Sequence, residues 1–173
     1  MSLANFEPDL YVDSIYDLDF DQLKETGINA YLLDLDNTLV ETDQLESPPE
    51  LVQLFADLKI KGIKLIILSN NSQRRVGEFA EPLSLPYIGR ALKPFAHNYH
   101  RAMEMLDVTP DETAMIGDQR LTDIKGGNRN GLYTVLVKSL SKKEGVPTKI
   151  NRFFEGFIIK MLSKRGLLKQ EEF

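Results

Sequence analysis

Ala30-Tyr31-Leu32-Leu33-Asp34-Leu35-Asp36-Asn37-Thr38 is the stretch that decides how this chain folds. Four apolar residues run into two carboxylates set two positions apart. A short apolar run of this kind fits a strand buried on both faces of a parallel sheet. If the strand's period of two continues past its end, Asp34 and Asp36 project to one face. Like charges that close repel, and one carboxyl keeps a proton unless a cation sits between them. The pair then suits phosphate chemistry: one carboxylate attacks, the other carries a proton, and a divalent cation shields both. Taken alone, the tripeptide reads rather as a solvated turn. The rest of the chain changes that reading.

Outward from this stretch the pattern alternates. Strands read at 29–34, 63–68, 87–89, 113–117 and 132–138, and helices at 48–61, 72–81, 94–106 and 121–130. Pro48-Pro49 opens the first of these helices. Gly62 closes that helix and Gly131 the last. Alternating strands and helices with short connections predict an α/β fold, a three-layer, doubly wound, Rossmann-like parallel sheet. Polar landmarks stand at the strand ends: Ser69-Asn70-Asn71 after Leu68, Lys93-Pro94, and Gly117-Asp118 followed by Asp123. In an open parallel sheet such ends converge on one crevice.

Each landmark has an ordinary explanation. Ser69 fits a helix N-cap, Lys93 a solvated loop lysine, and Gly117-Asp118 a turn. Together, and in this order, they supply a carboxylate nucleophile, a proton carrier, a hydroxyl, a fixed cation and metal-binding carboxylates, the parts that phosphoryl transfer needs. The ordered set resembles the haloacid dehalogenase-like phosphohydrolases. Their four motifs are D-x-D-x-T, a strand ending in Ser or Thr, a Lys, and G-D-x(3,4)-D. The resemblance covers about residues 28 to 138.

It implies a role for each position. Asp34 is the nucleophile that becomes an aspartyl-phosphate, and Asp36 the general acid and then base. Thr38 holds the loop. Ser69 donates a hydrogen bond to the phosphoryl group. Lys93 neutralises developing charge as a point charge. Asp34, Asp118 and the backbone carbonyl of Asp36 bind the metal, and Asp123 either binds it through water or braces Lys93. Oxygen ligands with no Cys nearby suit Mg²⁺. Asn70, Asn71, Gln73 and Arg74 follow Ser69 and either rim the crevice, Asn70 as a candidate substrate-binding residue, or only cap the helix.

Only 35 residues separate Asp34 from Ser69 and 24 separate Ser69 from Lys93, too few for a folded cap. By the resemblance, members without a cap act more often on large or surface-presented substrates. The opening Leu-Asp-Leu-Asp-Asn-Thr-Leu and the short intervals are similar to the YqeG-type capless subfamily, related to the phosphatidylglycerophosphate phosphatases.

Composition sets outer bounds. The 173 residues, 42% apolar and 27% charged, suit one globular domain. With no Cys, disulfides and thiolate metal sites are excluded. No stretch reaches the roughly 18 apolar residues of a membrane span, and Met1–Glu7 lacks the basic and apolar regions of a secretion signal. A cytoplasmic protein is expected, peripheral on the inner membrane surface if the tail binds there. His97 and His100, three apart, read as a surface helix rather than a metal site, since no third nitrogen or sulfur ligand accompanies them.

Three segments follow. Residues 1–27 are acidic and irregular, with Tyr11, Ile15 and Leu18 packing onto the core. Residues 28–138 form the catalytic core. Residues 139–173 form a basic tail. The stretch 138–169 holds nine Lys/Arg against two Glu, whereas 1–137 holds 12 against 22 acidic residues. Ile150, Phe153, Phe154, Phe157, Ile158, Met161 and Leu162 form a helical apolar stripe. The segment 148–168 either packs on the domain, lies on an anionic membrane surface, or binds RNA or a protein partner, nucleic acid being the least favoured.

The expected activity is Mg²⁺-dependent hydrolysis of a phosphomonoester, with a phospholipid head group such as phosphatidylglycerophosphate as substrate. A soluble phosphosugar, nucleotide or phosphoprotein is the alternative substrate. A non-enzymatic module of the same shape, recruiting RNA or a protein, is the alternative role.

Overall fold

The computed structural model describes residues 3–141. The amphipathic segment expected over 148–168 lies outside the described residues.

Among the described residues, six strands form one all-parallel sheet: β1 (Leu10–Val12), β2 (Ala30–Leu33), β3 (Lys64–Leu68), β4 (Tyr87–Ile88), β5 (Thr113–Gly117) and β6 (Tyr133–Val137). Their spatial order is β1-β6-β5-β2-β3-β4. From β2 the chain winds outward through β3 and β4, then returns to build β5 and β6 on the other side. The direction of winding therefore reverses between β2 and β5, and the crevice beyond their C-terminal ends is where such sheets bind ligands. Leu33 pairs with Ile116 at that point, and Asp34 N–H extends the pairing to the Ile116 carbonyl at 2.9 Å.

The period of two divides the strand side chains between two cores. Tyr31, Leu33, Leu65, Ile67, Ala114 and Ile116 pack against α1 (Phe20–Glu25), α2 (Pro49–Ile60) and α3 (Gln73–Ala80). Ala30, Leu32, Ile66, Leu68 and Met115 pack against α4 (Ala96–Leu106) through Tyr99, Ala102, Met103 and Leu106. Every residue of β2 is buried, which is why its sequence reads as a continuous apolar run rather than an alternating one. Gly62 and Gly131 both sit at φ +75°, the left-handed conformation that ends a helix without a Cβ clash.

Two elements differ from expectation. Leu10–Val12 lies in the stretch read as irregular, yet forms the edge strand β1 beside β6. Three residues are too few to display a period, and their pairing is supplied by β6. Ile15 and Leu18 are buried in the first core, as their spacing suggested, while Tyr11 stays half-exposed. The helix expected over 121–130 begins as a π-helical turn, Arg120–Ile124, before α5 (Lys125–Arg129). Such wide turns need a tertiary reason. Here the turn brings Asp123 inward.

No helix among the described residues is long and apolar enough to cross a membrane.

Candidate active site

The residues after β2 reverse direction at once. Asn37 adopts φ 65°, a left-handed conformation that Asn tolerates better than most residues. Its N–H donates to the Val40 carbonyl at 2.7 Å, and the Leu39 N–H to the Leu35 carbonyl at 3.0 Å. The tight turn keeps Asp34, Asp36 and Thr38 at the sheet's C-terminal edge. Asp34 Oδ1 receives the Lys93 ammonium at 2.7 Å. The Thr38 hydroxyl stands 2.9 Å from Asp34 Oδ2 and 3.3 Å from Asp118 Oδ1, joining the first motif to the end of β5.

Lys93 is almost fully buried, and its ammonium lies between Asp34 and Asp123, at 2.6 Å from Asp123 Oδ1. Burial acts against the lysine's charge, but Asp123 and Asp34 outweigh it and hold the ammonium protonated well above its usual range. Burial raises the Asp123 carboxyl, with Lys93 pulling it back. Asp123 fits here because residue 117 is glycine: a Cβ at that position would overlap the Asp123 side chain. The Gln119 N–H also donates to Asp123 Oδ2 at 3.1 Å.

Lys93 is aimed by Asn70. The Asn70 carbonyl oxygen accepts from Lys93 N–H at 2.7 Å, and its amide donates to the Lys93 carbonyl at 3.2 Å. Both polar ends of Asn70 are thus engaged on the lysine turn. Ser69 is buried, and its Oγ accepts from Asn71 N–H at 3.1 Å. The N-cap of α3 is Ser72, whose side chain accepts from Arg75 N–H. Ser72, not Ser69, therefore caps α3, and the buried Ser69 holds the turn at the end of β3.

Asp36 turns toward α3. Its Oδ2 accepts from the Asn71 amide at 2.7 Å and its Oδ1 from Arg75 Nη2 at 3.2 Å. The same Nη2 donates to the Gln44 carbonyl at 2.7 Å, tying the β2–α2 connection to the site. Burial pushes the Asp36 carboxyl above the usual carboxylate range. The Asn71 hydrogen bond and the Arg75 charge draw it back, and nearby Asp34 adds to the rise. Arg74 is the arginine expected at this helix start, whereas Arg75 is the one that reaches the site. Arg74 pairs instead with Glu78 at 2.8 Å on the exposed side of α3. Gln73 bonds the Gly89 N–H. Both arginines lie in the first turn of α3, where a cation opposes the macrodipole, so nothing in the sequence separates Arg75 from Arg74.

Asp34, Asp118 and Asp123 each offer an oxygen, and these atoms lie within 4.8 Å of one another. A set of hard oxygen donors suits a hard divalent cation such as Mg²⁺. The arrangement can hold an anion's oxygens between a cation and a fixed ammonium, with a second carboxyl, raised by burial, two residues from Asp34.

The model of the haloacid dehalogenase-like hydrolase family matches residues 5–131. The chain is 41% identical over 167 residues to "Probable phosphatase YqeG" of Bacillus subtilis (strain 168), covering 96% of this chain and 97% of that protein. It is 27% identical over 146 residues to phosphatidylglycerophosphate phosphatase 1 of Arabidopsis thaliana, covering 79% of this chain and 42% of that protein. Among solved structures, a deoxy-D-mannose-octulosonate 8-phosphate phosphatase of Haemophilus influenzae superposes with a TM-score of 0.53 at 16% identity. That match covers 85% of this chain and 96% of the other, and shows a shared fold.

Proposed function

The chain belongs to the haloacid dehalogenase-like hydrolases and is a phosphatase, and from that premise we propose that it hydrolyses a phospholipid head-group monoester, such as phosphatidylglycerophosphate, through a phosphoryl group carried on Asp34. The observation that carries the chemistry is the environment of Asp34. One of its oxygens is neutralised by a buried lysine, the other is held by Thr38, and a carboxyl with a raised pKa lies two residues away.

Asp34 attacks phosphorus, and the bond to the leaving oxygen breaks as the bond to the carboxylate forms. Asp36 gives its proton to that departing oxygen, releasing the alcohol. Burial favours the proton-holding form of Asp36, while Asn71 and Arg75 favour its carboxylate, so the residue can serve in turn as acid and base. As carboxylate, Asp36 takes a proton from water. The water oxygen joins phosphorus, Asp34 is released, and inorganic phosphate leaves. Lys93 offsets charge gathering on the phosphoryl oxygens, and Ser69 donates to one of them. Asp34 and Asp118, with the backbone of Asp36, would hold Mg²⁺, which supplies Lewis-acid charge to the transferring group. Asp123 keeps Lys93 in place.

The lipid substrate is supported by the Arabidopsis relative's name, by the short intervals that leave no cap, and by the basic tail. The test is phosphate release from phosphatidylglycerophosphate in mixed micelles, with and without Mg²⁺, beside soluble phosphosugars and nucleotides. Mg²⁺-dependent preference for the lipid is expected. Turnover of soluble esters alone would keep the chemistry and reject the substrate.

A further inference from the structure

Exposed apolar side chains flank the buried lysine. Leu92 is 66% and Phe95 69% exposed, while Lys93 between them is 5% exposed. The Phe95 N–H donates to the Leu92 carbonyl at 3.0 Å, closing a turn that sends the ammonium into the site and the two apolar side chains outward. Neither residue suits its backbone position. Leu92 sits at φ 54°, where a bulky residue is an outlier. Phe95 holds the N-cap of α4, where it makes no capping hydrogen bond. Exposure to water and local backbone preference thus both disfavour the residues found here, beside the catalytic lysine.

The charge around them is one-sided. The segment Arg90–Met103 contains no Asp or Glu, although residues 1–137 carry a net charge of −10. Arg90 is exposed two residues before Leu92, and His97, His100 and Arg101 are exposed along the first turns of α4. Their spacing of three and four places these three on one helix face.

We infer that the turn Arg90–Phe95 and the start of α4 form an interfacial docking surface for an anionic lipid layer. Leu92 and Phe95 enter the apolar boundary, and Arg90 and Arg101 meet lipid phosphates. Docking in this way brings a head-group phosphate to Lys93 and Asp34 without lifting the lipid out of the layer. The inference rests on the lipid reading of the same site.

The chain contains no Trp, so Phe95→Trp in the full chain gives a single reporter on the proposed surface. On vesicles of phosphatidylglycerol with phosphatidylcholine, its emission is expected to move to the blue, and on phosphatidylcholine alone to stay. The paired variant Leu92→Asn/Phe95→Ser preserves the fold, since Asn tolerates the left-handed conformation and Ser caps helices. It is expected to lose about tenfold in vesicle affinity per side chain, with turnover of a soluble chromogenic ester unchanged. Unshifted emission on the anionic vesicles overturns the inference. So does a paired variant that binds them as tightly as wild type, the result that a tail acting alone would give. A blue shift without phosphate release from phosphatidylglycerophosphate rejects the substrate and leaves the docking surface standing. Lipid hydrolysis without a shift does the reverse.

Discussion

At Asp36, burial and charge compete over a proton. Burial holds the proton on, and Arg75 and Asn71 favour its loss, with the balance lying above the usual carboxylate range. Leaving-group protonation needs the protonated form, so turnover of alkyl esters should fall as pH rises through the raised pKa. Arg75→Ala removes a positive charge and a hydrogen bond that both lower that pKa. The basic limb of kcat against pH should therefore move to higher pH in this variant; an unmoved limb would separate Arg75 from the proton. Asp36→Asn should lower kcat on alkyl esters by about 10²–10⁴. Lys93→Met leaves the buried Asp123 without its counterion, and breaking such a pair costs about 3–5 kcal/mol, measurable by urea unfolding together with loss of activity. The carboxylates and the lysine could be found from the sequence because their order and spacing are characteristic as a set. Arg75 could not, because its partners, Asp36 and the Gln44 carbonyl, lie more than thirty positions away and meet it only in the fold. Nor could the direction of the Asp36 shift, which depends on how deeply the residue is buried.

Strands β2, β3 and β5 announce themselves because strands buried on both faces read as continuous apolar runs. β1 does not, since three residues in an acidic stretch gain their conformation from β6 rather than from their own pattern. The π-helical turn is hidden for a related reason: its sequence, Arg-Leu-Thr-Asp-Ile, is compatible with an ordinary helix. That turn depends on the glycine at the end of β5, because any side chain at 117 would take the space of Asp123. Gly117→Ala should therefore destabilise the fold by about 1–3 kcal/mol, the usual cost of overpacking, and reduce turnover by moving Asp123 off Lys93. Thermal unfolding and kcat measured together test this. Full activity in a destabilised variant would show that the Asp123 contact serves stability alone.

Across the whole molecule, the reversal of winding between β2 and β5 gathers one crevice from elements that span residues 34 to 123. The charge division, acidic up to residue 137 and basic beyond it, sets the tail apart from the core. Removing residues 142–173 should lower turnover of a lipid phosphate much more than that of a small chromogenic ester. Equal losses would mark the tail as part of the folded core. If Asp34 and Asp118 hold a divalent cation as proposed, chelation should abolish activity and Mg²⁺ restore it. In the proposed mechanism, phosphate passes through Asp34. The direct measurement is to mix the Mg²⁺-loaded Asp36→Asn variant with a chromogenic ester, quench within one turnover, and map any phosphoryl adduct by mass spectrometry. Without the base that activates water, the adduct should accumulate on the peptide containing Asp34 and be missing when Asp34 is also changed to Asn. An adduct at another residue, or near-normal turnover by Asp34→Asn alone, would contradict the mechanism.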